Sequence, residues 1–270
     1  MSDSRPVGVF DSGLGGLSVL REIRRMLPGE GLLYCADSGH APYGEKPQAL
    51  IAERSLELCS FLLEQDAKAL VIACNTATAA AATAIRARWP ELPIIGMEPA
   101  VKPATAATRN GVVGVLATTG TLESARFAAL LDQFGHGVSV LTRPGVGLVE
   151  AVERGDLDSP ATLALLRSHL EPLLAGGADV IVLGCTHYVF LRPHVEAIAG
   201  PEVRVIDTGA AVVRQLQRKL DAAELLSEAG SGITQCWSSG EVSRVAPALE
   251  KLWGPSGLLP LPPSSCLFAV

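Results

Sequence analysis

Short, almost wholly apolar runs alternate along the chain with longer stretches whose apolar positions recur at helical spacing. The runs at 7–10, 32–35, 69–73, 94–96, 112–116, 138–141, 180–183 and 203–206 are rich in Val, Ile and Leu. Runs of that length without polar alternation predict strands buried on both faces. Between them, the periodic stretches 48–64, 76–89, 122–134, 162–171 and 210–226 predict helices. Strands separated by helices imply an α/β fold with mostly parallel sheets covered by helices.

Two of the predicted strands end alike. Val71-Ile72-Ala73-Cys74-Asn75-Thr76 and Val182-Leu183-Gly184-Cys185-Thr186-His187 each run from aliphatic residues through a small residue to a cysteine and a helix opening. The earlier segments Val7-Gly8-Val9-Phe10 and Val113-Gly114-Val115-Leu116 also match. Their offset of 106 residues is close to the 111 between the cysteines, so two similar α/β units are expected. The boundary between them falls near residues 96–102. After Trp253, Pro255, Pro260, Pro262 and Pro263 predict an irregular tail.

Composition narrows the class of protein. The 270 residues suffice for two compact domains, and 48% hydrophobic content with only 4% aromatics suits buried aliphatic strands. A net charge of −6 argues against nucleic acid as a partner, because phosphate contacts need a basic face. Arg21, Arg24 and Arg25 cluster at helical spacing, which reads as a solvated face. The most apolar stretch, 69–85, is interrupted by Cys74, Asn75 and several threonines, so no membrane span is expected. The polar start shows no secretory signal. Six cysteines, at 35, 59, 74, 185, 236 and 266, include no CxxC pair. That excludes a disulfide framework or zinc-finger spacing and points to the reducing cytoplasm.

Candidate chemistry starts from the paired cysteines. In open α/β sheets, ligands bind outside the carboxyl ends of the strands. A thiol there faces a helix N-terminus, whose dipole is expected to lower its pKa. A single buried cysteine is more often a small filler. The matched setting of Cys74 and Cys185 favours chemistry instead, and the other four read as structural. The turn Asp11-Ser12-Gly13-Leu14-Gly15-Gly16-Leu17-Ser18 loosely mimics a dinucleotide fingerprint, with Asp37 at the next strand end. It lacks the third glycine, and Asp11 puts a negative charge at the phosphate mouth. A tight connection, or a grip on a carboxylate and an ammonium group, fits better.

Pro42, Tyr43 and Gly44 lie in a turn-rich loop at the same edge, suited to cap a small polar ligand. Thr118 and Thr121 follow the strand that mirrors the first; helix capping is their ordinary role. His187, two residues past Cys185, could assist proton transfer with an acid to orient it, and Glu150 is the candidate acid. No further ligands cluster to complete a metal site around Cys185 and His187.

Together these segments resemble the glutamate racemases of the aspartate/glutamate racemase family. The resemblance rests on Gly8-Val9-Phe10-Asp11-Ser12-Gly13, Pro42-Tyr43-Gly44, Ala73-Cys74-Asn75-Thr76-Ala77, Gly184-Cys185-Thr186-His187-Tyr188 and Asp207-Thr208-Gly209-Ala210. It implies interconversion of L- and D-glutamate without cofactor or metal, supplying D-glutamate for peptidoglycan. It also implies two pseudo-symmetric domains, 1–97 plus 208–270 and 98–207, with the active site between them. Cys74 would exchange the α-proton on the D-glutamate face and Cys185 on the L-glutamate face. Asp11, His187 and Glu150 would assist. Asp11, Ser12, Pro42, Tyr43, Gly44, Asn75, Thr76, Thr118, Thr121, Thr186 and His187 would hold the substrate. The partners implied are glutamate and, as in some relatives, a second copy of the chain, with no nucleic acid and no membrane. The alternatives are an aspartate or hydantoin racemase using the same thiol pair, and a non-catalytic amino-acid-binding protein.

Overall fold

The apolar runs assemble into two separate parallel sheets. The computed structural model describes residues 3–227, 232 and 234–262. Met1, Ser2, Pro263 and Cys266 lie outside the described residues. The first sheet begins with β1 (Val7–Asp11), α1 (Leu17–Met26), β2 (Leu32–Ala36), α2 (Gln48–Glu64), β3 (Ala69–Ile72), α3 (Asn75–Arg88) and β4 (Ile94–Ile95). After α4 (Val101–Ala107), the second sheet is built from β5 (Val112–Ala117), α5 (Thr119–Leu122), α6 (Ala125–Phe134), β6 (Ser139–Pro144), α7 (Leu148–Glu153), α8 (Pro160–Ala175), β7 (Val180–Gly184), α9 (Arg192–Ala199) and β8 (Arg204–Ile206). The chain then runs through α10 (Gly209–Ala222), β9 (Thr234–Ser238), α11 (Val242–Trp253) and β10 (Leu258–Pro260).

The spatial orders are β10-β9-β2-β1-β3-β4 and β6-β5-β7-β8, with every pair parallel. In both sheets the first strand lies between its two successors. Connections therefore leave it toward opposite sides, and a crevice opens at the carboxyl ends of the strands. Asp11 and Cys74 stand at that point in the first sheet, Thr118 and Cys185 in the second.

Every residue of β1, β2 and β3 is buried, and the two-residue period of a strand divides them between two cores. Val7, Val9, Tyr34, Val71 and Ala73 share a core with Leu116, Ile181 and Leu183 of the second sheet. Phe10, Leu33, Leu70 and Ile72 pack instead with Leu58 and Leu62 of α2 and Ala81 and Ile85 of α3. A third core, with Val113, Val115, Val180 and Phe127, covers the far face of the second sheet. Truncating one of these aliphatic side chains to Ala costs about 2–5 kcal/mol. The shared first core holds the two crevices face to face.

β9 and α11 fall where the sequence pattern predicts neither strand nor helix, and two further departures have local causes. The stretch predicted as one helix over 122–134 is broken, because Ser124 accepts the Phe127 N–H at 3.1 Å and starts α6 afresh. The tail expected to be irregular contains β10, which adds to β9 at the sheet edge. Pro260 is tolerated there because an edge strand need not donate on its outer side. No helix among the described residues is long and apolar enough to cross a membrane.

Candidate active site

Cys74 is the N-cap of α3. Its extended backbone (φ −141°, ψ 122°) turns the sulfur back to accept the Ala77 N–H at 3.4 Å. The thiol faces Ser12 Oγ at 3.7 Å. Burial, and then the nearby Asp11 charge, push this thiol well above the ordinary cysteine range, outweighing the Ala77 N–H. The expectation that a helix N-terminus would lower its pKa is thus corrected at Cys74. Dipole effects are small beside the cost of charging a buried sulfur next to a carboxylate.

Cys185 has a different neighbour. After β7 and Thr186 the chain enters a 3-10 turn (His187–Leu191), not an α-helix. The Cys185 sulfur lies 3.7 Å from His187 Nδ1. His187 Nε2 in turn lies 2.7 Å from Glu153 Oε1. Burial alone would lower the imidazole pKa, but hydrogen bonds to Cys185 and Glu153 and the Cys185 and Asp11 charges raise it well above the usual value. The raised pKa favours the protonated ring, with Nδ1 toward the sulfur and Nε2 toward Glu153; the Gly15 N–H also points at Nε2, at 3.2 Å.

The acid at His187 is therefore Glu153 and not Glu150. Three helical residues advance a side chain by about 4.5 Å along the axis. That rise separates the two carboxylates. Glu150 sits half-buried in a narrow space with Gly44, Thr118, Gly145 and Tyr188. Glu153, at the end of α7, also accepts the Leu14 N–H at 2.5 Å and the Ser38 hydroxyl at 3.0 Å. It bridges both sheets, and no local feature of the sequence distinguishes it from Glu150. Gly13 and Gly15 are required in the facing turn. A Cβ at Gly13 would collide with the Glu153 carboxylate, and one at Gly15 with the His187 ring. Side chains of the second sheet fill the turn that loosely mimicked a nucleotide site.

Both cysteines line one small cavity together with Ser12, Pro42, Tyr43, Gly44, Asn75, Thr76, Thr118, Thr186 and His187. Asp11 lies fully buried beneath it. Its Oδ2 accepts the Gly16 N–H at 2.7 Å and faces the Thr186 hydroxyl at 3.4 Å. Burial raises its pKa, against the pull of the His187 charge. Asn75 Oδ1 is buried with no hydrogen-bond partner among the described residues, which leaves an acceptor at the cavity wall. Thr121 stands just behind, in a hydroxyl triangle across the sheets. Thr76 Oγ1 is 2.9 Å from Thr118 Oγ1 and 3.2 Å from Thr121 Oγ1, and Thr118 is 2.9 Å from Thr121. Thr118 also caps α5. Tyr43 lines the cavity with its ring, but its hydroxyl donates away from it, to Asp37 at 2.6 Å.

The cavity measures only about 10 Å³, the room needed by about one water. A larger cavity of about 460 Å³ lies between α1 and the start of α10 and touches Cys185 and Thr186. The small one holds both thiols. Cys35, Cys59 and Cys236 are buried and free, away from this cavity.

The Asp/Glu/Hydantoin racemase model matches residues 7–216. The chain is 61% identical over 249 residues to the glutamate racemase of Ectopseudomonas mendocina, covering 92% of this chain and 95% of that one. With the Pseudomonas aeruginosa glutamate racemase it shares 58% over 252 residues, 93% and 95% of the two chains. Among solved structures, the Francisella tularensis glutamate racemase in complex with D-glutamate superposes with a TM-score of 0.84 at 26% identity, over 98% and 99% of the chains. The Escherichia coli glutamate racemase, in complex with L-glutamate and the activator UDP-MurNAc-ala, gives 0.83 at 31%, over 95% and 97%. The chain belongs to the Asp/Glu/hydantoin racemase family and, within it, to the glutamate racemases, a group of isomerases.

Proposed function

We propose that the chain interconverts L- and D-glutamate by a two-base cysteine mechanism that uses no cofactor. The observation that carries this reading is the placement of Cys74 and Cys185, from different sheets, on the walls of one cavity. The Francisella tularensis and Escherichia coli relatives hold D- and L-glutamate, which supports glutamate as the substrate here. Racemisation removes the α-proton on one face and returns one on the other, so one thiolate and one thiol are needed at any moment.

The unlike surroundings support different resting roles. Cys74 is held as a thiol by burial and by Asp11. The sulfur beside the His187 imidazolium, Cys185, takes the α-proton from L-glutamate as a thiolate. Its S–H bond forms as the α-C–H bond breaks, and the electron pair stays on the α-carbon. Cys74 then gives its proton to the opposite face, which yields D-glutamate and leaves Cys74 as thiolate and Cys185 as thiol. The D-to-L direction runs the same steps backwards. Ser12, Asn75, Thr76, Thr118, Thr121, Thr186 and the Gly44 N–H bind the carboxylates and ammonium group, and the closed cavity excludes water from the carbanion. Because the cavity is far smaller than glutamate, the units 1–97 plus 208–270 and 98–207 move apart to admit it. The product serves peptidoglycan synthesis in the cytoplasm.

The test is circular dichroism of L-glutamate, and separately of L-aspartate, incubated with the purified chain without added cofactor. Loss of the L-glutamate signal to zero is expected. A signal that decays only for aspartate, or only after a cofactor is supplied, overturns the reading.

A further inference from the structure

The Tyr43 hydroxyl faces away from the cavity, and what it binds is a buried charged cluster outside the site described above. Asp37, at the end of β2, is fully buried. Its Oδ2 accepts from Tyr43 at 2.6 Å and from Arg54 Nε at 3.1 Å. Its Oδ1 accepts from Arg54 Nη2 at 2.8 Å and lies 3.1 Å from His40 Nδ1. Burial alone would raise the carboxyl pKa, but the hydrogen bonds from Arg54, Ser239 and Tyr43 hold it below the usual range. Its backbone N–H donates to the Asp11 carbonyl at 3.0 Å, so this carboxylate is built onto the strand end that carries Asp11.

A charged cluster of this kind is costly to bury, and besides His40, Ser239 and the Arg54–Glu57 pair it holds the hydroxyl of one turn, that of Tyr43. The Tyr43 ring is buried, and the Lys46 N–H closes the loop on the Tyr43 carbonyl at 3.1 Å. On its other side Gly44 accepts the Gly120 N–H at 2.9 Å from the second sheet. One chain of contacts thus runs from Arg54 on α2 through Asp37, Tyr43 and Gly44 to α5.

We propose that Asp37 is a positioning residue of the glutamate site. With Arg54 it grips the Tyr43 hydroxyl and so sets the Pro42-Tyr43-Gly44 turn at the height where Gly44 meets both substrate and the second sheet. Asp37 touches neither reacting carbon nor thiol, so its loss is read in substrate affinity and not in proton transfer. This rests on the reading that the cavity binds glutamate.

The experiment pairs kinetics with amide hydrogen exchange on the full chain and its Asp37→Asn, Tyr43→Phe and doubly substituted forms. An Asn can keep one edge of the carboxylate's contacts, but its NH2 then faces an Arg54 or Tyr43 donor. Each single change should raise KM for both enantiomers about tenfold, with kcat within about threefold, and the double form should be no worse than the weaker single form. Without substrate, protection of the Tyr43 to Lys46 amides should fall in both. Unchanged protection in both, a loss of kcat at constant KM, or effects that multiply in the double form would each overturn the proposal. Tyr43→Phe removes one hydroxyl and leaves the Asp37–Arg54 pair in place, so it decides the matter if Asp37→Asn does not fold. A parent chain that fails to racemise glutamate sinks the proposed function, while the exchange arm still judges the positioning role.

Discussion

Cys74 and Cys185 follow nearly the same sequence of residues on equivalent strands, yet the two half-sites are electrostatic opposites. Cys74 caps a fourteen-residue helix and meets a hydroxyl and a backbone N–H, with a carboxylate close by. Cys185 opens only a 3-10 turn and faces an imidazole ring backed by a carboxylate. A helix N-terminus contributes about 0.3–1 kcal/mol to a nearby charge, less than the several kcal/mol at stake in burying one. At Cys74, burial and the Asp11 charge therefore outrank the helix behind the sulfur. A repeated motif gives two thiols, and packing gives them unlike neighbours: Ser12 and Asp11 at Cys74, His187 at Cys185.

The sharpest way to break that comparison is to remove one thiol at a time. Cys74→Ala and Cys185→Ala should each lower racemisation by at least ~10²–10⁴-fold, the usual worth of a positioned acid or base. In deuterated buffer each should still exchange one enantiomer: Cys74→Ala should label L-glutamate only, and Cys185→Ala D-glutamate only. Mass spectrometry of each recovered enantiomer reads this, and a single variant that labels both sinks the one-face-per-thiol assignment.

A smaller effect separates the two glutamates of α7. Glu153→Gln should lower kcat/KM by about 10–100-fold, equally in both directions because enantiomers are equal in energy. Glu150→Gln should change it by less than about threefold. Glu153 helps raise the His187 pKa, so removing its charge lets the ring lose its proton at lower pH. The alkaline limb of the kcat/KM profile should then move to lower pH. An unmoved limb would mean that Glu153 only braces the sheets.

Closure should respond more mildly. A Cβ on Gly120 would sit 2.9 Å from the Gly44 carbonyl, too close without a shift. Gly120→Ala is expected to raise KM about threefold to tenfold with little change in melting temperature. The smallest effect is one of pH. Asp37 has a carboxyl pKa below its ordinary 3.8 when folded. Its contribution to stability is therefore present above about pH 4 and is lost as pH falls through the lower folded value. The melting-temperature gap between the parent and Asp37→Asn should be constant near neutrality and narrow in acid. A gap that widens in acid would show that the carboxylate is not held charged.

Much of the site was legible because it is local. Each thiol, with Asn75 or Thr186 beside it, stands where a buried strand stops, and strand ends can be read from an apolar run and the polar residues after it. The glycine turn after β1 was legible for the same reason, although what fills it was not. Glu153 escaped because its partners, Leu14, Ser38 and His187, are far away in sequence, while Glu150 offers the same residue type one turn earlier. Asp37 could be seen as a charge at a strand end, but not as the acceptor that takes Tyr43's hydroxyl from the cavity. The tail strand β10 escaped because three residues at a sheet edge, one of them proline, carry almost no periodic signal.

By itself the sequence determined the parallel α/β architecture, the two thiols and their places at strand ends. Those follow from hydrophobic period and chain reversal, which act over a few residues. The tertiary structure decided which carboxylate reaches His187, which way Tyr43 points and which groups surround each sulfur. Such matters depend on distances of a few ångströms between segments that only packing brings together, where burial multiplies the effect of every neighbouring charge.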